Sequence, residues 1–156
     1  MTKVRIAHSQ EDLGKYLRAL AVLLLENLLL NLPDEGWTIE DATSQVENLL
    51  LNLKEGNAQL FLAEDEEHLL GFAWTYKRRL ARKERLHINH IIVQSGHRNE
   101  GIGQRILSAI ILEAKELKVD SIDLMSNKDR EEVVRFYSKN GFSVERLQMV
   151  YKLPEG

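Results

Sequence analysis

Val93-Gln94-Ser95-Gly96-His97-Arg98-Asn99-Glu100-Gly101-Ile102-Gly103 lies between an apolar run, Ile91-Ile92-Val93, and a segment whose apolar residues recur at helical spacing. Those residues are Ile102, Ile106, Ile110 and Leu117, joined by Leu107, Ile111 and Ala114. A strand, a glycine-rich turn and an amphipathic helix are expected in that order. Glycine lets backbone N–H groups approach a ligand with no Cβ in the way, and the first turn of the helix adds unpaired donors and a partial positive charge. The segment can therefore cradle an anion such as a pyrophosphate. A turn of this kind also serves simply to start a helix. No Gly-Lys-Ser/Thr follows, which speaks against a P-loop, and the third glycine of a dinucleotide fingerprint would fall at Ile106.

Upstream, short β-like runs cover Ala58 to Glu64, Leu70 to Lys77 and Arg85 to Val93, and their succession suggests an antiparallel meander. Before them, Lys3 to Ala7 reads as a first strand, and Ser9, with Glu11 and Asp12, as the start of a leucine-rich helix to about Asn31. Thr38 and Asp41 form a capping-box pattern for a second helix that ends near Gly56. Downstream, Ser121 to Met125 reads as a strand, Asp129 to Lys139 as a helix stopped by Asn140-Gly141, and Phe142 to Leu153 as strand material with an internal break. The order β-α-α-β-β-β-α-β-α-β does not alternate strictly, so the class is α+β with a mixed sheet.

The chain has 156 residues, 44% apolar and 29% charged, with no Gly/Ser-rich linker and no internal repeat, so residues 1–156 read as one domain. Its 21 Lys+Arg against 24 Asp+Glu leave a net charge of −3, which argues against nucleic acid held by a positive field. With no cysteine, thiol catalysis, disulfides and Cys-ligated metals are excluded. The longest apolar run, Ala19 to Leu25, falls short of the roughly 20 residues of a membrane span, and no signal-peptide pattern opens the sequence, so a cytoplasmic protein is expected.

Arg98-Asn99-Glu100-Gly101-Ile102-Gly103 resembles the Gln/Arg-x-x-Gly-x-Gly/Ala signature of the GNAT family of acyl-CoA-dependent N-acetyltransferases. Ile91, Ile92 and Val93 look like that family's fourth strand, and Arg135-Phe136-Tyr137-Ser138-Lys139-Asn140-Gly141-Phe142 resembles its later Phe-Tyr-x-x-x-Gly-Phe motif. The resemblance implies a GNAT-like central mixed sheet of six to seven strands with about four helices, and acetyl-CoA as the acyl donor. Residues 91–93 and 98–103 would then hold the CoA. The sequence departs from the signature at Ser95, commonly proline, and at Asn99, commonly glycine, although Asn tolerates positive φ better than most residues. A helix-start asparagine common in the family is here Arg130, with Asn127 three residues earlier as a weaker stand-in for the pantetheine contact.

The implied chemistry is direct transfer of an acetyl group from a thioester to an amine. It needs a neutral amine, a donor to the developing oxyanion and a proton for the departing thiolate. By the resemblance Tyr137 supplies that proton and a main-chain N–H near Ile92 or Val93 is the oxyanion donor. For the base, His87 and Asn89 share one strand face by the period of two and His90 takes the other; His87 is the candidate, against a purely structural histidine, with Glu84 the nearest carboxylate alternative. The acceptor would be a primary amine of a small molecule or peptide.

Several features stay open to other uses. Lys77 to Arg85 holds six cations and one acid and reads either as a solvated hairpin tip or as a surface that steers an acidic partner. The leucine stripe from Leu13 to Leu32 reads as core or as the contact of a homodimer rather than as a membrane helix, and Trp37 as an acceptor-site wall or a buried anchor. Two rivals to an enzyme are a CoA-binding regulatory module without turnover and a scaffold or nucleic-acid-contacting module using the 77–85 run.

Overall fold

The computed structural model describes residues 2–7, 13–66 and 68–155. The chain divides into two compact units, Met1–Leu124 and Met125–Gly156. The first holds a five-stranded sheet in the order β1-β2-β3-β4-β5, formed by β1 (Thr2–Ala7), β2 (Ala58–Asp65), β3 (His68–Leu80), β4 (Lys83–Val93) and β5 (Ser121–Leu124). The first four strands pair antiparallel as the meander predicts, and β5 joins β4 in parallel. Helices α1 (Leu17–Asn31), α2 (Ile39–Lys54) and α3 (Ile102–Leu117) belong to this unit, and α4 (Glu131–Lys139) to the second. Among the described residues no helix is long and apolar enough to cross a membrane.

The leucine stripe is core over most of its length, while Leu29, Leu30 and Leu32 are exposed. Leu20, Leu23, Leu24 and Leu28 of α1 pack with Ala42, Val46 and Leu49 of α2 over one face of the sheet, where they meet Leu60, Leu62, Phe72, Trp74 and Ile92. On α3, Ile102, Ile106, Leu107, Ile110 and Ala114 are buried, the stripe the sequence marks as amphipathic. The helix ends follow local chemistry unevenly. Thr38 caps α2 in a full capping box with Asp41, and Gly56 takes a left-handed φ of 78° just past its end. Helix α1, by contrast, starts at Leu17 with no side-chain cap and no acidic residue in its first turn; Ser9, Glu11 and Asp12, expected there, lie outside the described residues.

Two expectations are corrected. The β3–β4 hairpin runs through the basic segment to a tight turn at Ala81, whose φ is 56°, because Lys77 to Leu80 keep their pairing with Lys83 to Leu86. The sheet has five strands rather than six to seven, because residues 142–155 form no strand; their side chains are almost all exposed, so they lack the buried face that fixes a register.

Gly71 of β3 sits close against the backbone of β4. A Cβ there would stand 2.7 Å from Ile92 O and 3.3 Å from Val93 Cα. Gly71→Ala is expected to lower the unfolding free energy by roughly 1–3 kcal/mol through overpacking. Gly14→Ala, where an added Cβ meets nothing within 4 Å, should stay within about 0.5 kcal/mol. Urea unfolding with an unchanged slope measures both.

Candidate functional site

Strand β5 pairs with β4 only from Arg85↔Ser121 to Ile88↔Leu124. Beyond Ile88, residues 89–93 of β4 remain paired with β3 on one edge and have no β5 residue on the other. The Gln94 N–H donates to Leu70 O at 2.7 Å across to β3. Antiparallel pairs alternate, so the main-chain groups of Ile92 also point to β3 and those of Ile91 and Val93 to the open edge. In keeping with this, Val93 O accepts from Arg98 Nε at 3.5 Å.

The register shifts between Trp74 and Thr75, where Asn89 is the extra residue of a β-bulge. The bulge resets the alternation. Tyr76 faces His87 and Trp74 faces His90, and Trp74 and Tyr76 lie two residues apart, so His87 and His90 share a face instead of opposing each other as the simple period predicts. Their rings lie 5.0 Å from those of Tyr76 and Trp74 respectively. Glu84 alternates to the opposite face from His87.

His87 is buried, and its Nδ1 lies 2.9 Å from Asp123 Oδ1 on β5. The other carboxylate oxygen accepts from Arg78, and Arg85 stands 3.7 Å away. Burial would raise the Asp123 pKa, but the hydrogen bonds and charges of Arg78 and His87 outweigh it and hold the carboxyl below its ordinary range. The ionised Asp123 accepts from His87 Nδ1–H, which leaves Nε2 as the nitrogen able to exchange a proton with a ligand. Sequence reasoning missed Asp123, because it meets His87 only through the parallel register. Arg78 and Arg85, read as part of a solvated basic run, are the residues that hold it.

At the end of β4, Ser95–His97 form a short 3-10 turn, Asn99 adopts φ 67° and Gly101 φ 80° as the N-cap of α3. Asn99 thus takes the left-handed conformation that a glycine would. The first helical bond closes from Arg105 N–H to Gly101 O at 3.1 Å, so the amides of Ile102 and Gly103 emerge at the helix end, where the first turn has no acidic side chain. A Cβ on Gly101 would meet no protein atom within 4 Å, so the space above the turn is open to a ligand. Glu100 is drawn to His97 at 3.1 Å. Beside the turn, Ser95 and Arg98 with Glu26, Leu29 and Leu30 of α1 line a cavity of about 430 Å³. Trp37 packs against the core with a buried indole N–H that has no partner. Among the described residues no group of three or more His, Cys, Asp or Glu is placed to hold a metal.

The remaining candidates lie in the second unit. Tyr137 is buried between Phe136 and Phe142, both edge-on at 5.1 and 5.3 Å, and burial pushes its phenol well above the ordinary value, so it stays protonated at neutral pH. Asn127 accepts through Oδ1 from Asp129 N–H at 3.2 Å, a turn that leads into α4.

Comparison with known proteins places the chain in a family and a fold. The family described as acetyltransferase (GNAT) matches residues 24–142. The mycothiol acetyltransferase of Propionibacterium freudenreichii subsp. shermanii is 32% identical over 121 residues, 76% of this chain, and the chain spans 38% of that protein's length. The crystal structure of a transcriptional regulator from Bacillus halodurans C-125 gives a TM-score of 0.75 at 25% identity, over 96% of this chain and all of that one. An aminoglycoside acetyltransferase from an uncultured soil metagenomic sample, in complex with sisomicin, shares the fold at TM-score 0.76 and 18% identity, over 99% and 97% of the two chains.

Burial against the sheet pushes His90 from its ordinary 6.5 down to about 4. Between those values the unfolded chain binds a proton that the folded one refuses, so stability is lost as pH falls from about 6.5 to 4, by up to about 3 kcal/mol. Asp123 and Glu64 have lowered values and add their losses only below their ordinary 3.8 and 4.5, near or under the foot of that window. His90→Gln should flatten the slope of unfolding free energy between pH 6.5 and 4.5 in urea titrations; an unchanged slope would place the histidine's protons elsewhere.

Proposed function

The chain belongs to the GNAT acetyltransferase family, and from that premise we propose that it transfers an acetyl group from acetyl-CoA directly to a primary amine in a ternary complex. The observation that carries the reading is the open edge of β4 running straight into the Asn99–Gly103 turn. One end offers outward main-chain groups at Ile91 and Val93 and the other a cluster of amides at a helix N-terminus with no acidic neighbour in its first turn. A pantetheine arm fits the first as an added strand fits an edge, and a pyrophosphate fits the second. Arg98 adds a cation beside the turn. The family match spans residues 24–142 and so crosses from one unit to the other, which supports reading 1–156 as one transferase domain.

In this reading the Val93 N–H donates to the thioester oxygen as charge develops on it. His87, held by Asp123, takes the amine proton at Nε2, directly or through water, and Tyr137 returns a proton to the departing thiolate. The acceptor is a small molecule or peptide amine, supported by the relative named for mycothiol. A cytoplasmic site of action follows from the donor. The second reading, a CoA-binding regulator without turnover, draws on the neighbour described as a transcriptional regulator.

Release of free CoA across a panel of amines decides between the two readings, with turnover for the enzyme and CoA-dependent thermal stabilisation alone for the regulator. Gly101→Val places a branched side chain in the open space above the turn, and calorimetric titration with CoA should show at least about a tenfold weaker Kd; equal affinity would remove the turn from the site. His87→Gln should lower kcat/KM for the amine by roughly 10²–10⁴-fold and remove an inflection from the pH–rate profile. A parent-like profile would leave the free amine or a water chain as the source of the nucleophile.

A further inference from the structure

Helix α1 is apolar on two opposite sides. Leu20, Ala21, Leu23, Leu24 and Leu28 are buried, and at about 100° per residue they fall on one half of the helix. Val22, Leu29 and Leu30 fall on the other half and are 39%, 43% and 57% exposed. A helix with one face in water carries charged and polar residues there, so an outward apolar stripe marks a surface that another body covers. Two exposed charged side chains interrupt the stripe, Arg18 and Glu26. Each stands four residues from Val22, so Arg18, Val22 and Glu26 form one row along the helix, about 12 Å from end to end. Among the described residues neither charge forms an ion pair.

A row that reads cation, apolar residue, anion at equal spacing is its own complement when a second copy crosses it antiparallel. With a twofold axis at Val22, Arg18 faces Glu26 of the other copy and Glu26 faces its Arg18. The same axis sets Leu29 and Leu30 over the residues that precede the helix in the other copy. A hole lies there. Gly14, Lys15, Leu17, Arg18 and Thr43 line a cavity of about 300 Å³, and a Cβ on Gly14 would meet no atom within 4 Å.

We propose that the outward face of α1 is a dimer interface, on which two copies pair antiparallel about Val22 with reciprocal Arg18–Glu26 ion pairs and with Leu30 of each copy seated in the cavity beside Gly14 of the other. Lys15, Arg18, Val22, Glu26, Leu29 and Leu30 of each copy, at on the order of 100 Å² apiece, give an interface on the order of 1,000 Å², the size at which specific association begins. A lipid surface would take the apolar stripe but would bury Glu26 with no counter-charge. A second copy supplies the apolar cover and both counter-charges together.

Light scattering of the full chain should give twice 18.0 kDa across a range of concentrations. Arg18→Glu and Glu26→Arg each set two like-charged pairs across the axis. Each should weaken the dimer at least about a hundredfold and give an 18.0 kDa species with the parent's far-UV circular dichroism. An equimolar mixture of the two variants brings opposite charges face to face at both ends of the row, and should return to the dimer mass. Because the chain has no cysteine, a further measurement needs neither variant: Val22→Cys, beside the axis, should be joined to a second copy by a short bismaleimide. A monomeric parent, single variants that dimerise as the parent does, a mixture that stays monomeric or the absence of the Val22→Cys cross-link would each overturn the proposal.

Discussion

Four residues of parallel pairing between β4 and β5 set the terms for the rest of the first unit. Because the ladder stops at Ile88↔Leu124, the following residues of β4 keep a free edge, and because Asn89 is bulged, the strand turns its alternation just as that edge opens. The groups of Ile91 and Val93 then face outward, and the chain leaves the strand into a turn with two positive φ values, at Asn99 and Gly101. Gly71 belongs to the same constraint. Any side chain there would push against the backbone of Ile92 and Val93 and spoil the alignment between strand and turn.

The electrostatics are local. Arg78, Arg85 and His87 converge on the carboxylate of Asp123, across the short stretch where β4 and β5 are in register. A single carboxylate shared among three basic partners remains charged despite its burial, which fixes the histidine tautomer without a second acid. Two of the six cations of the basic run are thus turned to internal use, which leaves a smaller positive surface on the hairpin than composition suggests.

Much of this was legible in the residues, and the illegible parts share one cause. Thr38 and Asp41, the period of α3, and the glycines of the turn act over a few residues, so their spacing showed their structure. Asp123 and Gly71 act on residues far along the chain, and a pairing register must exist before either has meaning. The bulge at Asn89 is intermediate: nothing in Ile88-Asn89-His90 distinguishes an extra residue from a regular one, and a slip of one position exchanges the faces of every histidine after it. Residues 142–155 mislead in another way, since they carry the alternation of a strand and form none.

Helix α1 has neither a side-chain cap nor charges placed against its dipole, so its position rests on what it buries: Leu20, Ala21, Leu23, Leu24 and Leu28. The residues it presents to the cavity beside the turn, Glu26, Leu29 and Leu30, are not among those that anchor it. Anchor and wall are different faces of one cylinder. The wall can therefore be rewritten, residue by residue, while the fold stays intact.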